Sequence, residues 1–259
     1  GEEQVVTAAD RLVANTHAEA KELIELYHAD PNRVRVVHPG VDLEVFVPGN
    51  QSVARKELGV AEDAIVLLFV GRIQPLKAPD VLIEAAAEIL KRNPELRSRL
   101  VVAICGGPSG SGLERPDALV NLADQLGISD IVKFVPPTSR AELVKWFQAA
   151  SVCVVPSYSE SFGLVAIEAQ ACGTPVIAAR VGGLPTAVRD GISGVLVDGH
   201  EASTWADQIL TVVTNDALRT KLSTGAIAHA SHFGWEDTTD KLISVYNEAV
   251  KSSQVRAQV

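Results

Sequence analysis

The stretch IVLLFVGRIQPLKAPDVLIEAAAEILKR, residues 65–92, carries a complete strand, loop and helix pattern. Its first six residues are all apolar, as expected of a strand that is buried on both faces of a parallel sheet. From Pro79 onward the apolar residues recur at helical spacing, and proline suits the first turn of a helix. The stretch therefore predicts one strand-loop-helix unit of an α/β fold.

The same alternation continues through most of the chain. Further apolar runs predict strands at 100–105, 131–135, 152–156, 175–179 and 194–198. Helical patterns predict helices at 118–127, 141–150, 162–172, 201–214, 216–230 and 236–251. Because successive βαβ units are right-handed, this order specifies a Rossmann-like, doubly wound parallel sheet.

The first forty residues do not follow that repeat. They predict a helix, a strand, a second helix and a second strand, which are too few elements to bury a core of their own. Residues 42–52 have the composition of a connection, with turn residues at 48–50. We therefore expect a boundary between Val37 and Gln51, with the preceding segment being the tail end of another domain.

Composition narrows the class of protein. No apolar run reaches the ~18 residues of a membrane span, which predicts a soluble protein without a membrane partner. The net charge of −9 argues against a nucleic-acid partner, so a bound anion needs a local basic cluster. Cys105, Cys153 and Cys172 lie in apolar stretches, as is typical of buried residues in a reducing cytoplasm. The chain has no methionine and no secretory signal, so Gly1 is not expected to be a native start.

The loop after the first strand of the repeat contains two cations. In open α/β sheets, ligands bind outside the carboxyl ends of the strands, and Arg72 and Lys77 lie there, just before the helix at Pro79. A phosphate between them would relieve their repulsion and suit both side chains. The alternative is a pair of solvated surface charges, and the residues alone do not separate the two.

A glycine-rich loop, GGPSGSG at 106–112, follows the second strand. Counted from Gly110, Arg115 occupies the last position of the dinucleotide pattern G-x-G-x-x-G, and no Gly-Lys-Ser/Thr follows. The loop is weak evidence for phosphate binding, and a flexible turn is the alternative. The broken pattern argues against a nicotinamide dehydrogenase.

The segment ESFGLVAIE, residues 160–168, follows the fourth strand. We expect Glu160 in the loop and Glu168 about two turns into a helix that Ser159 or Ser161 caps. Nothing apolar beside Glu160 indicates the raised basicity of an acid/base pair, and a hard metal would need more oxygen ligands. Carboxylates that accept hydrogen bonds from sugar hydroxyls fit best, while for Glu160 a glutamate favoured by the helix dipole is the structural alternative.

Three motifs together resemble the retaining glycosyltransferases of family 4, which have the two-domain GT-B fold. They are G-R-x4-K at 71–77, G-G-P-S-G at 106–110 and E-x7-E at 160–168. HPGVD at 38–42 is similar to the segment that enters the C-terminal domain of that family. The resemblance is strongest to members that transfer N-acetylglucosamine from UDP to 1D-myo-inositol 3-phosphate in mycothiol biosynthesis.

The resemblance implies three parts in the chain. Residues 41–234 would be the domain that binds the UDP-sugar donor, and 1–40 the end of an otherwise missing N-terminal domain for the inositol phosphate acceptor. Residues 235–259 would form a helix that returns towards that domain. The alternatives are a non-catalytic sugar-nucleotide binding module and a family 4 transferase with another donor or acceptor.

Roles for single residues also come from the resemblance. Arg72 and Lys77 would hold the diphosphate and stabilise charge on the departing UDP. Glu160 would bind the sugar hydroxyls and complete the catalytic set, while Glu168 would bind the ribose. The uracil would meet the strand end at Phe134 and Val135. The other implied donor contacts are Gly71, Ser161, Phe162, Gly163 and Leu164.

The resemblance implies that the chemistry, which is thought to proceed on the front face of the sugar, requires no metal or other cofactor. It leaves room for a structural magnesium ion at Phe147, Gln148, Ala150 and Thr174. We also expect partly uncovered apolar positions on the last helix, which leaves a homodimer open. These positions are Trp235, Leu242, Ile243 and Tyr246.

Overall fold

The structure is a computed structural model that describes residues 2–107 and 116–256. The strands in these ranges are β1 Leu12–Ala14, β2 Val34–Val36, β3 Ile65–Val70, β4 Leu100–Cys105, β5 Val132–Val135, β6 Val152–Val155, β7 Val176–Ala179 and β8 Gly194–Val197. The α helices are α1 Glu2–Ala8, α2 His17–Glu25, α3 Gln51–Leu58, α4 Pro79–Arg92, α5 Pro116–Gln125, α6 Arg140–Ala149, α7 Leu164–Ala171, α8 Leu184–Ala187, α9 Ala202–Val213, α10 Asp216–Ala230 and α11 Trp235–Arg256.

Strands β3 to β8 form one parallel sheet in the order β5-β4-β3-β6-β7-β8. Helices pack around it in pairs, with α4 against α9, α3 against α6 and α10 against α7. The predicted doubly wound α/β fold is therefore confirmed. Strand order reverses between β3 and β6, and at such a switch point the loops at the carboxyl ends of the strands diverge and leave a crevice.

The core of this sheet is apolar and tightly buried. Its largest fully buried side chains include Trp146, Phe147 and Trp205, which lie on helices outside the sheet. The three cysteines are free and buried, as predicted. Such a core gives the loops at the strand ends a rigid base.

Helix α3 was not expected, because the sequence indicates a connection up to residue 52. Asn50 is the N-cap of this helix rather than a turn residue, and its side chain accepts a hydrogen bond from the backbone N–H of Val53 at 3.2 Å. Gly59 ends the helix in the left-handed conformation, with φ of 64°. The prediction missed a short, polar helix that is defined by its caps.

The start of α7 also differs from the prediction. The helix begins at Leu164 instead of Phe162, and its N-cap is Gly163 at a φ of 105°, with no side-chain cap hydrogen bond. Capping by Ser159 or Ser161 is therefore wrong. Glu168 consequently lies just past the first turn of the helix, closer to the loop than predicted.

The N-terminal segment forms its own small sheet, in which β1 pairs with β2 in parallel. Hydrogen bonds join the end of this segment to residues near the C-terminus. The Val41 N–H donates to the Phe233 carbonyl at 2.8 Å, and the Thr238 hydroxyl donates to the His38 carbonyl at 2.9 Å. The division of the chain at 40 and 234 remains a prediction, but these contacts show where the segments meet.

Helix α11 lies against the N-terminal segment through Glu248. The Glu248 carboxylate is 2.7 Å from Arg35 and 3.3 Å from Arg11, and these two guanidinium groups lower the pKa of the carboxyl group. Trp235, Ile243 and Tyr246 on the same helix are exposed, as expected, whereas Leu242 is half-buried. Among residues 2–107 and 116–256, no helix combines the length and apolar character that a membrane crossing requires.

Candidate functional site

The loops after β3 and β6 meet at the switch point of the sheet. Lys77 lies in a 3-10 turn, Pro75–Lys77, and its Nζ is 2.6 Å from Glu160 Oε2. The exposed fractions of the two side chains are only 23% and 16%. The Tyr158 N–H donates to the Leu76 carbonyl at 2.9 Å and ties the two loops together.

The ion pair sets the charge of the crevice. Because both partners are largely withdrawn from water, loss of either one would leave a poorly solvated charge. The lysine is neutralised by Glu160, so an anion that binds to Lys77 must compete with that carboxylate. A ligand that carries both a negative charge and hydrogen-bond donors could bind Lys77 through the charge and Glu160 through the donors.

A cavity of about 330 Å³ opens at the carboxyl ends of β3, β4 and β5. Its lining includes Gly71 and Arg72, both predicted donor contacts. Arg72 is exposed, and within the described part of the chain no carboxylate lies in ion-pair distance of it. The rest of the lining is Val70, Cys105, Gly106, Gly107, Pro136, Pro137, Thr138 and Leu143. The volume and the apolar walls with a few polar groups are typical of a small-molecule site.

The strand end at 134–135 lies beside this cavity rather than in its lining. The Val135 carbonyl already accepts a hydrogen bond from the Gly106 N–H at 2.9 Å. The lining resumes at Pro136 and Pro137, which have no backbone N–H, so there the chain offers carbonyl oxygens to a ligand. A base contact at Phe134 and Val135 stays a prediction. Because ligands bind beyond the carboxyl ends of strands, the predicted base contact could have been extended to residues 136–138.

The glycine-rich loop contributes Gly106 and Gly107 to the cavity, and the Ile73 N–H donates to the Gly107 carbonyl at 3.0 Å. Its remaining residues, 108–112, and Arg115 lie outside the described residues. The first two residues of the glycine-rich loop therefore lie beside the loop that carries Arg72.

Glu168 projects from α7 and is half-buried. Burial raises the pKa of its carboxyl group to about 7, against a smaller lowering by the charge of Arg140. Within the described residues, no donor lies within hydrogen-bond distance of this carboxyl group. A carboxylate that is partly desolvated and without a donor is suited to accept hydrogen bonds from a ligand.

The raised pKa of Glu168 predicts a pH-dependent stability. The carboxyl group is protonated more readily in the folded state than in the unfolded state, where its pKa is 4.5. Its stabilising contribution is therefore complete below pH 4.5 and is lost as the pH rises through about 7. We expect Glu168→Gln to flatten this part of the curve of unfolding free energy against pH, by on the order of 2–3 kcal/mol. Chemical denaturation of both proteins between pH 5 and 8 measures it, and parallel curves would contradict the assignment.

A second cavity, of about 240 Å³, has Glu160 in its lining. The loop after β6 contributes Ser159, Glu160 and Ser161 to its lining. The other lining residues are Thr16, Ala18, Glu19, Glu22, Gly182 and Gly183. This lining contains three glutamates and neither lysine nor arginine, which favours a neutral, hydroxyl-rich group over an anion.

Two glycines support the loop that carries Glu160. The Gly183 N–H donates to the Glu160 carbonyl at 2.8 Å, and a Cβ at Gly183 would lie 2.3 Å from the Ser161 carbonyl oxygen. A Cβ at Gly182 would lie 2.0 Å from the Glu160 carbonyl oxygen. Sequence reasoning assigned no role to these residues, although a glycine pair in the loop after a strand indicates a close backbone approach.

The remaining predicted contacts fall around the same loop. Phe162 is buried, with its ring stacked on that of His38 at 5.7 Å between centroids. Leu164 is exposed at the start of α7. The structure thus places Gly71 and Arg72 on the first cavity and Glu160 and Ser161 on the second, and Glu160 also pairs with Lys77.

The residues implied for a structural magnesium ion lie at the opposite edge of the sheet. The Phe147 carbonyl accepts a hydrogen bond from the Thr174 hydroxyl at 2.6 Å, and the Ala150 carbonyl accepts one from the Gln51 amide at 2.8 Å. The Gln148 amide donates to the backbone. The described residues contain no cluster of His, Cys, Asp or Glu suited to a metal. A carbonyl oxygen has two lone pairs, so an oxygen that accepts one hydrogen bond can also bind a cation, and a structural magnesium ion at these residues stays a prediction.

The fold and the crevice define a class of protein. A parallel sheet of this order, with a cation and a carboxylate paired at its switch point, is that of an α/β protein that binds its ligand at the carboxyl ends of the strands. Residues 50–229 match the family described as "Glycosyl transferases group 1", and residues 1–45 match "Glycosyltransferase Family 4". The chain belongs to the group 1 glycosyl transferases.

Particular relatives are similar along nearly the whole chain. The D-inositol 3-phosphate glycosyltransferase of Kribbella flavida is 59% identical over 97% of this chain, which covers 59% of that relative. Sucrose-phosphate synthase from Thermosynechococcus elongatus has 29% identity and a TM-score of 0.86, with coverage of 97% of this chain and 61% of that one. Anabaena HepE in complex with UDP and glucose has 23% identity and a TM-score of 0.78, with coverage of 97% and 64%. The chain therefore spans about three fifths of the length of these proteins.

Proposed function

We propose that this chain is the donor-binding part of a retaining glycosyltransferase that moves N-acetylglucosamine from UDP to 1D-myo-inositol 3-phosphate. The observation that carries the proposal is the Lys77–Glu160 pair at the switch point, in loops that also supply Arg72 to a cavity of nucleoside size and Glu160 to a second cavity rich in carboxylates. The relative from Kribbella flavida supports the acceptor, since it is named a D-inositol 3-phosphate glycosyltransferase. The Anabaena structure supports a uridine nucleotide, because it holds UDP and glucose.

The two cavities suggest how the donor is divided between them. The nucleoside would occupy the first cavity, with its ribose hydroxyls donating to the Glu168 carboxylate. The diphosphate would pass Arg72 and draw Lys77 away from Glu160. Glu160 would then accept hydrogen bonds from the sugar hydroxyls at the second cavity.

In the transfer step, the bond between the anomeric carbon and the UDP oxygen breaks on the face that the acceptor hydroxyl approaches. The acceptor proton passes to the departing phosphate oxygen, and the new glycosidic bond retains the configuration. Arg72 and Lys77 stabilise the negative charge that grows on UDP, which is electrostatic catalysis by fixed cations.

The acceptor phosphate needs a cation that the second cavity does not provide. Its lining within the described residues contains neither lysine nor arginine. We therefore expect the phosphate of inositol 3-phosphate to be held by residues from the part of the relatives' length that this chain does not span.

Two glutamine variants test the division of the donor. Glu168→Gln is expected to weaken UDP and UDP-N-acetylglucosamine alike, because both carry the ribose. Glu160→Gln is expected to weaken the sugar nucleotide relative to UDP by roughly tenfold or more, since a hydrogen bond to a charged group contributes about 1.5–3 kcal/mol. Isothermal titration of both ligands measures this.

The matched control for these variants is Glu88→Gln, which removes a carboxylate from the surface of α4. It should leave both affinities unchanged. If Glu160→Gln and Glu168→Gln gave the same ligand profile, the assignment of sugar and ribose to different carboxylates would be wrong. If the parent chain bound neither ligand, the proposed function itself would fail.

A further inference from the structure

His200 lies outside both cavities yet contacts the loop that carries Glu160. It follows β8, at the same carboxyl edge of the sheet as the crevice. Its Nε2 is 3.3 Å from the Ser157 carbonyl oxygen, and its ring is 4.0 Å from the ring of Tyr158 between centroids. Ser157 and Tyr158 begin the four-residue segment that ends in Glu160.

The position of His200 is itself fixed by the core. Trp205 is fully buried, and its indole N–H donates to the Gly199 carbonyl at 3.1 Å. The rings of His200 and Trp205 stack at 6.4 Å between centroids. The imidazole is therefore held between a core tryptophan and the loop after β6.

Both members of the central ion pair connect to the residues that His200 contacts. Ser157 is buried, and its hydroxyl is 3.5 Å from Glu160 Oε2. The Tyr158 N–H donates to the Leu76 carbonyl, next to Lys77. A shift of residues 157–158 would thus move Glu160 relative to Lys77.

We propose that His200 is a positioning residue of the donor site, which holds the Ser157–Glu160 segment so that Glu160 faces Lys77 and, after donor binding, the sugar. The role requires a proton on Nε2, because the Ser157 carbonyl only accepts. The orientation of Glu160 towards the sugar rests on the proposed function. The alignment of Glu160 with Lys77 does not depend on it.

Two substitutions separate the hydrogen bond from the ring. His200→Phe keeps an aromatic ring against Tyr158 and loses the donor, whereas His200→Gln keeps an N–H donor and loses the ring. The first measurement needs no ligand. The energetic coupling of Lys77 and Glu160 is obtained from a double-mutant cycle of Lys77→Met and Glu160→Gln, by denaturant unfolding in each His200 background.

We expect the coupling to fall by at least half in His200→Phe and to be retained in His200→Gln. Equal coupling in His200→Phe and the parent would overturn the proposal, as would equal losses in both variants, since these would indicate packing by the ring alone. In titrations, His200→Phe should weaken UDP-N-acetylglucosamine about fivefold more than UDP, the effect of one neutral hydrogen bond. Failure of the parent to bind that ligand would refute the proposed function while the coupling measurement still decides the role of His200.

Discussion

Replacing Lys77 by alanine is expected to weaken UDP binding roughly tenfold to hundredfold, and Arg72→Ala should do the same. A charged hydrogen bond to phosphate contributes about 1.5–3 kcal/mol, and each 1.4 kcal/mol changes the affinity tenfold. Isothermal titration with UDP measures the effect. Uridine, which has no phosphate, should bind both variants as it binds the parent.

Controls separate the phosphate contact from general charge. Lys91→Ala removes a solvent-exposed lysine of α4 that pairs with Glu88, and it should leave UDP affinity unchanged. Unchanged UDP affinity in both Lys77→Ala and Arg72→Ala would refute the diphosphate assignment.

The two cations should differ in their effect on stability. Lys77→Ala leaves the largely buried Glu160 carboxylate without its cation, so it should lower the free energy of unfolding. Arg72 is exposed and has no such partner among the described residues, so Arg72→Ala should leave the stability nearly unchanged. Denaturant unfolding of the same two proteins provides this second comparison.

Gly183→Ala is expected to disable the sugar side of the site while the sheet stays folded. The backbone of Gly183 has a φ of −84°, which alanine adopts freely, so the effect comes from the contact alone. The new methyl group would lie 2.3 Å from the Ser161 carbonyl oxygen and 2.6 Å from the Phe162 Cα, and backbone cannot yield as a flexible side chain does. We expect a loss of stability of about 1–3 kcal/mol, as for other overpacked sites, and a displaced Glu160.

Thermal unfolding and titration with UDP-N-acetylglucosamine check this variant. Gly59→Ala, at the end of α3, is the control, because a Cβ there meets nothing within 4 Å and the cost is limited to its positive φ. Parent-like sugar-nucleotide binding in Gly183→Ala would show that the segment 160–163 does not depend on this contact.

The strands and long helices could be predicted because each depends on its own residues. β3 and α4 lie where the apolar pattern places them, since burial on both faces of a sheet or on one face of a helix leaves a local trace. Helix α3 left little trace, because it is short and polar and is set by Asn50 and Gly59 at its ends. The start of α7 was misjudged because Gly163 adopts a left-handed conformation that serine patterns do not reveal.

The candidate site was predictable as a set of loops and not as a set of contacts. The rule for open sheets identifies the loops that carry Arg72, Lys77 and Glu160. That Lys77 pairs with Glu160 depends on two strands, β3 and β6, being neighbours, although 83 positions separate the two residues. Gly183 and His200 contact the same loop from still later in the chain, so their roles emerge only once the strand order is known.

The Lys77–Glu160 ion pair also affects how quickly a nucleotide arrives. The net charge of −9 repels an anionic ligand at long range, and a lysine whose charge is cancelled by its neighbour does little to steer one inward. Arg72 at the open rim is then the side chain that an incoming diphosphate meets first. Capture is therefore expected to be slower than for a site with two unpaired cations, and to accelerate as salt screens the net charge over the ~8 Å Debye length of physiological solutions.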